Sequence, residues 1–483
     1  MPRRTAGTAK AWISSSVAAR WNRSNRVAAS RTVSAMATSS TPRSRFGPVR
    51  QRSHPGPPRS YLDIEIGCPG GGDRMIKQIF WPVLAPAFLY QVGSGALTPV
   101  VVLAALSLGA GHALAGGIVT AMGVAAIIAS IPAGRLVDRL GDRNAMGLAT
   151  VLVAVLTTVA VLVLTLRPGN GVWLFTGAIV LIGATEVVWS LARQALVAET
   201  VPPQRIAMAM TSLGGAARAG QLVGPALGAL LLLRLPLQSV FVLHIVAALA
   251  ATVLIWRSRF GAPTARPARP AYAERGRRPP KLDVRWKAVA LAGVSMVTLS
   301  MARQGKNVVV PLWGDQLQLS PSAISLLVAL GSAIELLLIV PGGILKDRMG
   351  RTSVLVTCLL LLGVGFAIVP LAPTVWVFVV GLVILSIGNG LGSGINMTLG
   401  ADLSPPVGRA GFLDYWTTLT QAGAFAGPGL VTAVVAAASL SAAVWALAAA
   451  PLFGAVWLLC FQHVIGLPSA RRARIERVEG VEG

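Results

Sequence analysis

Six ionisable side chains interrupt long apolar stretches of the sequence, away from the ends of those stretches. They are Glu186, Arg218, Arg303, Lys306, Glu335 and Asp414. A charge at membrane depth costs about a few kcal/mol, so such residues usually face a cavity or a partner. Acidic side chains in this setting could bind and release a proton, and basic ones could contact a substrate.

Two of these residues, Glu186 and Glu335, lie near mid-depth and are too short to reach the membrane surface. Arg218, on the next stretch, lies at a depth comparable to Glu186, so we expect that pair to be structural. Arg303 and Lys306 are expected nearer the outer face, which leaves Glu335 without an obvious partner. A desolvated carboxylate without a partner can bind a proton from one side and release it to the other. Glu335 is therefore the predicted proton site.

The remaining candidates have alternative explanations. Arg303 and Lys306 could extend towards the membrane surface rather than contact a substrate. Asp414 lies about two turns inside its predicted helix and could simply stabilise the helix start.

The composition excludes an ordinary soluble domain. Of 483 residues, 54% are hydrophobic and 12% are charged, whereas soluble domains have about 25% charged residues. Successive apolar runs are long enough to cross a membrane as helices, and their continuity differs from the alternation of a β-barrel. The net charge of +25 comes from Lys and Arg that flank these runs, which indicates membrane topology rather than nucleic-acid binding. We therefore expect an all-α membrane protein.

Twelve apolar spans are predicted, in two groups of six. Their ranges are 79–106, 112–136, 144–166, 171–194, 205–232, 238–256, 286–313, 321–345, 352–371, 374–398, 408–436 and 441–463. The longest gap follows span 6, is rich in Pro and Arg, and is predicted to be a flexible linker. The predicted organisation is a basic tail (1–77), a first bundle (78–256), a cytoplasmic linker (257–285), a second bundle (286–465) and a cytoplasmic tail (466–483).

The distribution of Lys and Arg predicts the orientation. If both termini are cytoplasmic, Arg167 and Arg234 are the only basic residues in the outside loops, and the other loop and tail arginines and lysines lie inside. This asymmetry is expected of a protein in the cell membrane. Residues 1–61 contain no acidic residue, and this tail is predicted to be disordered. It could be a transit peptide; the interpretation we favour is that translation begins at Met75.

One charged turn occurs in both halves of the sequence. It reads GRLVDRLGDR after span 2 and GGILKDRMGR after span 8, with the shared pattern Gly-x-x-x-Asp-Arg-x-Gly. Its residues are Gly134, Asp138, Arg139, Gly141 and Arg143 in the first half, and Gly343, Asp347, Arg348, Gly350 and Arg351 in the second. Two further pairs of segments, AETVPP with ADLSPP and GQLVGP with GAFAGP, recur at matching positions. The sequence therefore contains an internal duplication.

Twelve spans, a basic linker after the sixth and this turn in both halves resemble the major facilitator superfamily over about residues 78–465. The resemblance implies two pseudo-symmetric six-helix bundles, which the charged turns hold together on the cytoplasmic side in the outward-facing state. Gly134 and Gly343 would permit close helix approach. Asp138 and Asp347 would accept hydrogen bonds from a helix start or pair with arginines. The alternative is that the arginines of the turns only determine topology.

Spans 5 and 11 share a Gly-Pro motif, which in span 5 resembles the antiporter motif of the superfamily. It comprises Gly220, Gly224, Pro225 and Gly228 in span 5, and Gly423, Gly427 and Pro428 in span 11. Small residues four positions apart permit tight helix contact, so ordinary packing is the alternative role. The sequence departs from the superfamily at three positions. Asp142 replaces a basic residue in the first turn, Ala229 stands where the motif of span 5 usually has a second glycine, and Ile179 stands where proton-coupled exporters often carry an arginine.

These features predict a monomeric secondary active transporter that works by alternating access. The six ionisable candidates fall on spans 4, 5, 7, 8 and 11, and none on spans 3, 6, 9 and 12, which the resemblance places at the periphery. Because the cavity spans have few polar anchors, we predict proton-coupled efflux of a small, largely apolar molecule. An importer of a small metabolite is the alternative. A membrane enzyme or receptor is disfavoured because the sequence has no catalytic or metal-binding cluster and no nucleotide-binding loop, and no cofactor is expected.

Overall fold

The computed structural model of the protein describes residues 80–201, 206–258, 284–405 and 409–466, which are almost entirely helical and contain no strand. Spans 1 to 6 are Ala85–Ser107 (preceded by the π-helical turn Phe80–Leu84), His112–Leu140, Asp142–Leu166, Gly171–Thr200, Ile206–Leu232 and Gln238–Arg257. Spans 7 to 12 are Trp286–Gln316, Pro321–Leu337 with Ile339–Met349, Arg351–Ile368, Val375–Leu391 with Ile395–Leu403, Arg409–Ala437 and Leu440–Ile465. The predicted tails and most of the predicted linker lie outside the described residues, as do the side chains of Asp347 and Asp414.

All twelve predicted spans are helical in the structure, and two of them consist of two helices. Span 8 is interrupted at Leu338, and span 10 at 392–394, where Gly394 has a φ of +77°. Ten of the spans are long and apolar enough to cross a membrane by length and composition. Large apolar side chains such as Val155, Val246 and Trp376 are exposed on the outside of the helices. An apolar outer surface is what a lipid environment requires.

The helices of the two halves pack in the same order. In the first half, span 1 packs against spans 5 and 6, span 2 against span 4, and span 3 against spans 4 and 6. In the second half, span 7 packs against spans 11 and 12, span 8 against span 10, and span 9 against spans 10 and 12. The internal duplication of the sequence therefore produces two pseudo-symmetric six-helix bundles.

The Gly-Pro motif lies where span 5 packs on span 1 and where span 11 packs on span 7. A Cβ atom at Gly220 would lie 2.5 Å from the carbonyl oxygen of Phe88. At the matching position, a Cβ atom at Gly423 would lie 2.6 Å from the carbonyl oxygen of Val297. Only glycine fits such contacts, so in this structure the motif permits close helix packing inside each bundle.

The charged turns connect consecutive helices through one glycine. Gly141 joins spans 2 and 3 with a φ of +79°, and Gly350 joins spans 8 and 9 with a φ of +86°. A side chain is strained at such φ values, which explains why glycine ends the pattern in both halves. We call the end of the molecule that contains these turns the motif end, and the opposite end the distal end.

At the distal end the two bundles are in contact. His112 at the start of span 2 lies 3.3 Å from the carboxylate of Asp315 at the end of span 7. Further along span 2, the hydroxyl oxygens of Thr120 and Thr432 (in span 11) are 3.4 Å apart. The contacts of His112 and Thr120 close the distal end. Span 5 also packs against span 8, and span 1 against span 7, across the two bundles.

At the motif end the same helices separate. Residues 127–128 and 130–132 of span 2 are exposed on almost every face, so this half of the helix packs only within its own bundle. A Cβ atom at Gly134 or Gly343 would meet no atom within 4 Å. The close helix approach predicted at these two glycines is therefore absent from this conformation. The space between the bundles is open towards the motif end.

Candidate functional site

The space between the bundles contains a polar cavity of about 290 Å³, formed by spans 1, 5, 7, 8 and 10. A second cavity of about 210 Å³ continues from it towards the motif end and shares several of its residues. The uncharged polar side chains of the larger cavity include Ser94, Thr98, Gln221, Gln304, Asn307 and Ser332. The premise that the cavity spans offer few polar anchors is therefore wrong. These residues could not be singled out in the sequence, because hydroxyls and amides are common in membrane helices and each one alone carries no signal.

Lys306 and Glu335 form an ion pair inside the larger cavity, between spans 7 and 8. Their side chains are 12% and 25% exposed, so both are largely removed from solvent. The prediction that Glu335 has no partner is wrong. It assumed that Arg303 and Lys306 lie nearer the outer face, whereas both line the cavity beside Glu335.

Arg218 and Arg303 line the second cavity from opposite bundles. Arg218, in span 5, donates a hydrogen bond to the hydroxyl of Ser393, in span 10. Arg303, in span 7, donates a long hydrogen bond of 3.4 Å to the carbonyl oxygen of Asn389, and its buried Nε has no partner among the described residues. The guanidinium groups therefore present hydrogen-bond donors to a shared cavity.

Glu186 accepts a hydrogen bond of 3.1 Å from the hydroxyl of Ser94 in span 1. The predicted neutralisation of Glu186 by Arg218 is wrong, because the described hydrogen bond of Arg218 crosses to the second bundle. Ser94 also lines the larger cavity. Glu186 is thus one hydrogen bond away from the cavity, inside the first bundle.

Comparison with known proteins identifies the family. The model of the major facilitator superfamily matches the chain twice, over residues 84–305 and 292–480. The chain belongs to the major facilitator superfamily. The first match covers the first bundle and part of span 7, and the second covers the second bundle from residue 292 onwards. The protein is a transporter rather than an enzyme.

Solved structures of the superfamily share the fold of the chain. A POT family transporter in complex with 5-aminolevulinic acid superimposes with a TM-score of 0.65 at 17% identity, covering 81% of this chain and 96% of that one. A D-xylose-proton symporter gives 0.61 at 14% identity, with 80% and 98% covered. The human organic anion transporter TETRAN gives 0.54 at 19% identity, with 79% and 99% covered. A comparison with curated protein sequences found no match.

Beside Glu186, this superfamily member has an aromatic and basic cluster that sequence analysis missed. The ring of Tyr90 stacks on that of Trp189, with 3.8 Å between the ring centroids, and Arg193 lies 4.9 Å from the Trp189 centroid. His244 is fully buried 6.0 Å from the Tyr90 ring. The statement that span 6 has no ionisable candidate is therefore wrong. His244 was visible in the sequence as the one ionisable residue in the middle of that span.

Two arginines of the charged turns contact helix ends of their own bundles. Arg143 donates a hydrogen bond of 2.6 Å to the carbonyl oxygen of Ser258, at the end of span 6. Arg351 forms an ion pair with Asp402, at the end of span 10. These contacts join neighbouring helix ends at the motif end. The contact between bundles that the superfamily resemblance implies for the turns stays a prediction, because the motif end is open in this conformation.

Proposed function

We propose that this transporter is a secondary active, proton-coupled transporter that works by alternating access. The observation that carries the proposal is the polar cavity between two bundles that touch at the distal end and separate at the motif end. A cavity open to one end and closed at the other corresponds to one of the two states that alternating access requires.

The proposed location is the plasma membrane, with the motif end and both termini in the cytoplasm. Support comes from the arginines and lysines, which concentrate in the loops of the motif end and in the tails. With this orientation, the structure corresponds to the inward-open state.

The proposed direction is export of a small molecule. The predicted largely apolar substrate needs revision in this proposal, because the cavity side chains include amides, hydroxyls and charges. A small molecule with both an apolar part and a polar or charged group fits such a lining better, since buried polar groups require partners. Import of a small metabolite is the second candidate function, because the same cavity serves either direction.

The proposed proton site is Glu186 rather than Glu335. Glu335 already has a charged partner, because it forms an ion pair with Lys306 inside the cavity. Glu186 instead contacts the uncharged hydroxyl of Ser94, and a protonated carboxyl group could keep this contact by donating its proton to the hydroxyl oxygen. Tyr90 lies close enough to Glu186 to interact with it electrostatically, and Tyr90 belongs to the buried cluster that also contains His244.

Proteoliposomes test the proposed function. The purified full chain is reconstituted with an internal pH indicator, and a library of small organic molecules is added with and without an imposed pH gradient. We expect at least one compound to move protons across the membrane only when the protein is present. Substrate uptake that is identical with and without the gradient would contradict proton coupling, and the absence of both substrate and proton movement would contradict transport.

A further inference from the structure

We propose that the cavity between Arg218 and Arg303 binds an anionic group of the transported molecule, a carboxylate or a phosphate-like oxyanion. The inference rests on the proposed transport function and names the substrate class for the same cavity. The second cavity would then bind the oxyanion of the substrate and not its apolar part.

The charge balance of the site supports an anion. Among the described residues that line the two cavities, the cations are Arg218, Arg303 and Lys306, and Glu335 is the one acid. Glu335 forms its ion pair with Lys306. The residues that line the two cavities therefore carry an excess of two positive charges, from three cations and one carboxylate. An unbalanced charge at this depth is costly, and a bound anion removes that cost.

The arrangement of donors fits an oxyanion. Arg303 has a buried Nε without a partner among the described residues, and its hydrogen bond to the carbonyl oxygen of Asn389 is long, at 3.4 Å. Arg218, Ser332 and Ser393 line the same cavity of about 210 Å³. Guanidinium groups bind carboxylate and phosphate oxygens through two parallel hydrogen bonds, so two of them facing one cavity form an anion site.

The two arginines belong to different bundles, which links binding to the conformational change. Arg218 lies on span 5 of the first bundle and Arg303 on span 7 of the second. Like charges on the two bundles oppose closure of the space between them, and an anion between them would bridge the bundles. The bound anion is therefore expected to favour closure at the motif end.

Binding is tested on the full chain in phosphatidylcholine nanodiscs, without any gradient. The probes are benzoate and phenylphosphonate, with benzamide and benzylamine as uncharged and cationic controls of similar size. For each probe, the dissociation constant is measured by titration calorimetry, and the midpoint of thermal unfolding is measured with and without the probe. We expect the two oxyanions to bind and to raise the midpoint, and the two controls to do neither.

Substitutions then locate the binding. Arg218→Gln and Arg303→Gln are each expected to weaken benzoate binding about tenfold or more, because each removes a charged donor. Arg257→Gln removes the same charge from an exposed helix end and should leave binding unchanged. Arg218 is exposed in the cavity, so Arg218→Gln is expected to fold even if Arg303→Gln does not. Glu335→Gln frees Lys306 and should tighten benzoate binding several-fold. If these residues only stabilised the fold, the substitution would not tighten binding.

Three results would overturn the inference: no binding of either oxyanion, equal binding of benzamide, or unchanged binding in Arg218→Gln. A lipid headgroup is the other source of an oxyanion, so the titration is repeated with phosphatidylglycerol in the nanodiscs. Loss of benzoate binding in that arm would assign the site to lipid and contradict its role in substrate recognition. Because these measurements need no transport, oxyanion binding without any transport would contradict the proposed function alone.

Discussion

At the scale of single residues, the partners of the membrane-depth charges determine their chemistry. Glu186 and Glu335 are both carboxylates at similar depth, but one accepts a hydrogen bond from a serine hydroxyl and the other pairs with a lysine. The energetic cost of ionising a carboxylate in a desolvated place depends on such partners more than on depth. The two glutamates are therefore expected to have different roles.

The first prediction compares these two residues. Glu186→Gln should abolish accumulation driven by a pH gradient while leaving substrate exchange across the membrane measurable, because the amide cannot carry the proton. Glu335→Gln should retain gradient-driven transport, with altered substrate affinity. Both are measured in proteoliposomes at matched protein density. Gradient-driven transport that survives Glu186→Gln would remove this residue from the coupling mechanism.

At the scale of secondary-structure elements, the glycines of the charged turns are of two kinds, which differ in backbone conformation and in the space around them. Gly141 and Gly350 have positive φ and join helices through one residue, whereas Gly134 and Gly343 lie in helices with open space around them. The first kind is required by the backbone in any conformation. The second kind can matter only when another helix approaches.

The second prediction uses this difference. Gly141→Ala should lower the free energy of unfolding by roughly 1–2 kcal/mol, because alanine is strained at positive φ. Gly134→Ala is the matched control and should leave stability equal or slightly higher, since alanine is the better helix former. Thermal midpoints of the two purified variants check this. Equal loss of stability in both variants would show that the φ of Gly141 is not the cause.

At the scale of the whole molecule, contacts at the two ends favour opposite states of the transporter. The described contacts between His112 and Asp315, and between Thr120 and Thr432, hold the distal end closed. Contacts between the charged turns of the two bundles, as the superfamily resemblance implies, would hold the motif end closed. The population of each state depends on the difference between these two sets of contacts.

The third prediction concerns the distal end. His112→Ala removes the contact with Asp315, whose two side chains are 37% and 40% exposed, and even a charged pair with such exposure contributes only up to about 1 kcal/mol. The population should shift up to about fivefold towards the state that is closed at the motif end. A cysteine placed at Ser130, in a background without the native cysteines, should then react more slowly with a water-soluble thiol reagent. An unchanged rate would exclude this pair from the control of the distal end.

The fourth prediction concerns the motif end, where a substitution should shift the population in the opposite direction, towards the state that is open at the motif end. Asp138→Asn keeps the shape of the side chain but removes its charge, so the state closed at the motif end loses stability. We expect near-complete loss of transport with normal expression, and faster labelling of the cysteine at Ser130. A tenfold change in the ratio of the two states corresponds to a change of about 1.4 kcal/mol in their free-energy difference. Transport at the wild-type rate in Asp138→Asn would reduce the charged turn to a determinant of topology.

The sequence alone determined the spans, their duplication and the fold. These depend on the length and continuity of apolar runs and on matched short patterns, which are local properties of the chain. The depth of Glu186 and Glu335 could also be estimated, because depth follows from the distance to the span ends. The turn pattern ending in Gly141 and Gly350 predicted the position of the helix connections, although not the backbone conformation that requires glycine.

Only the tertiary structure decided which side chains meet. Whether Glu335 pairs with Lys306 or Glu186 with Arg218 depends on how each helix is rotated about its axis and which neighbour it faces. In an apolar helix that rotation is weakly encoded, because lipid and the bundle interior are both apolar and no strong amphipathic pattern distinguishes them. The cluster of Tyr90, Trp189 and His244 combines residues of spans 1, 4 and 6, so no local pattern could indicate it. The open motif end likewise follows from contacts between two bundles whose sequences are far apart in the chain.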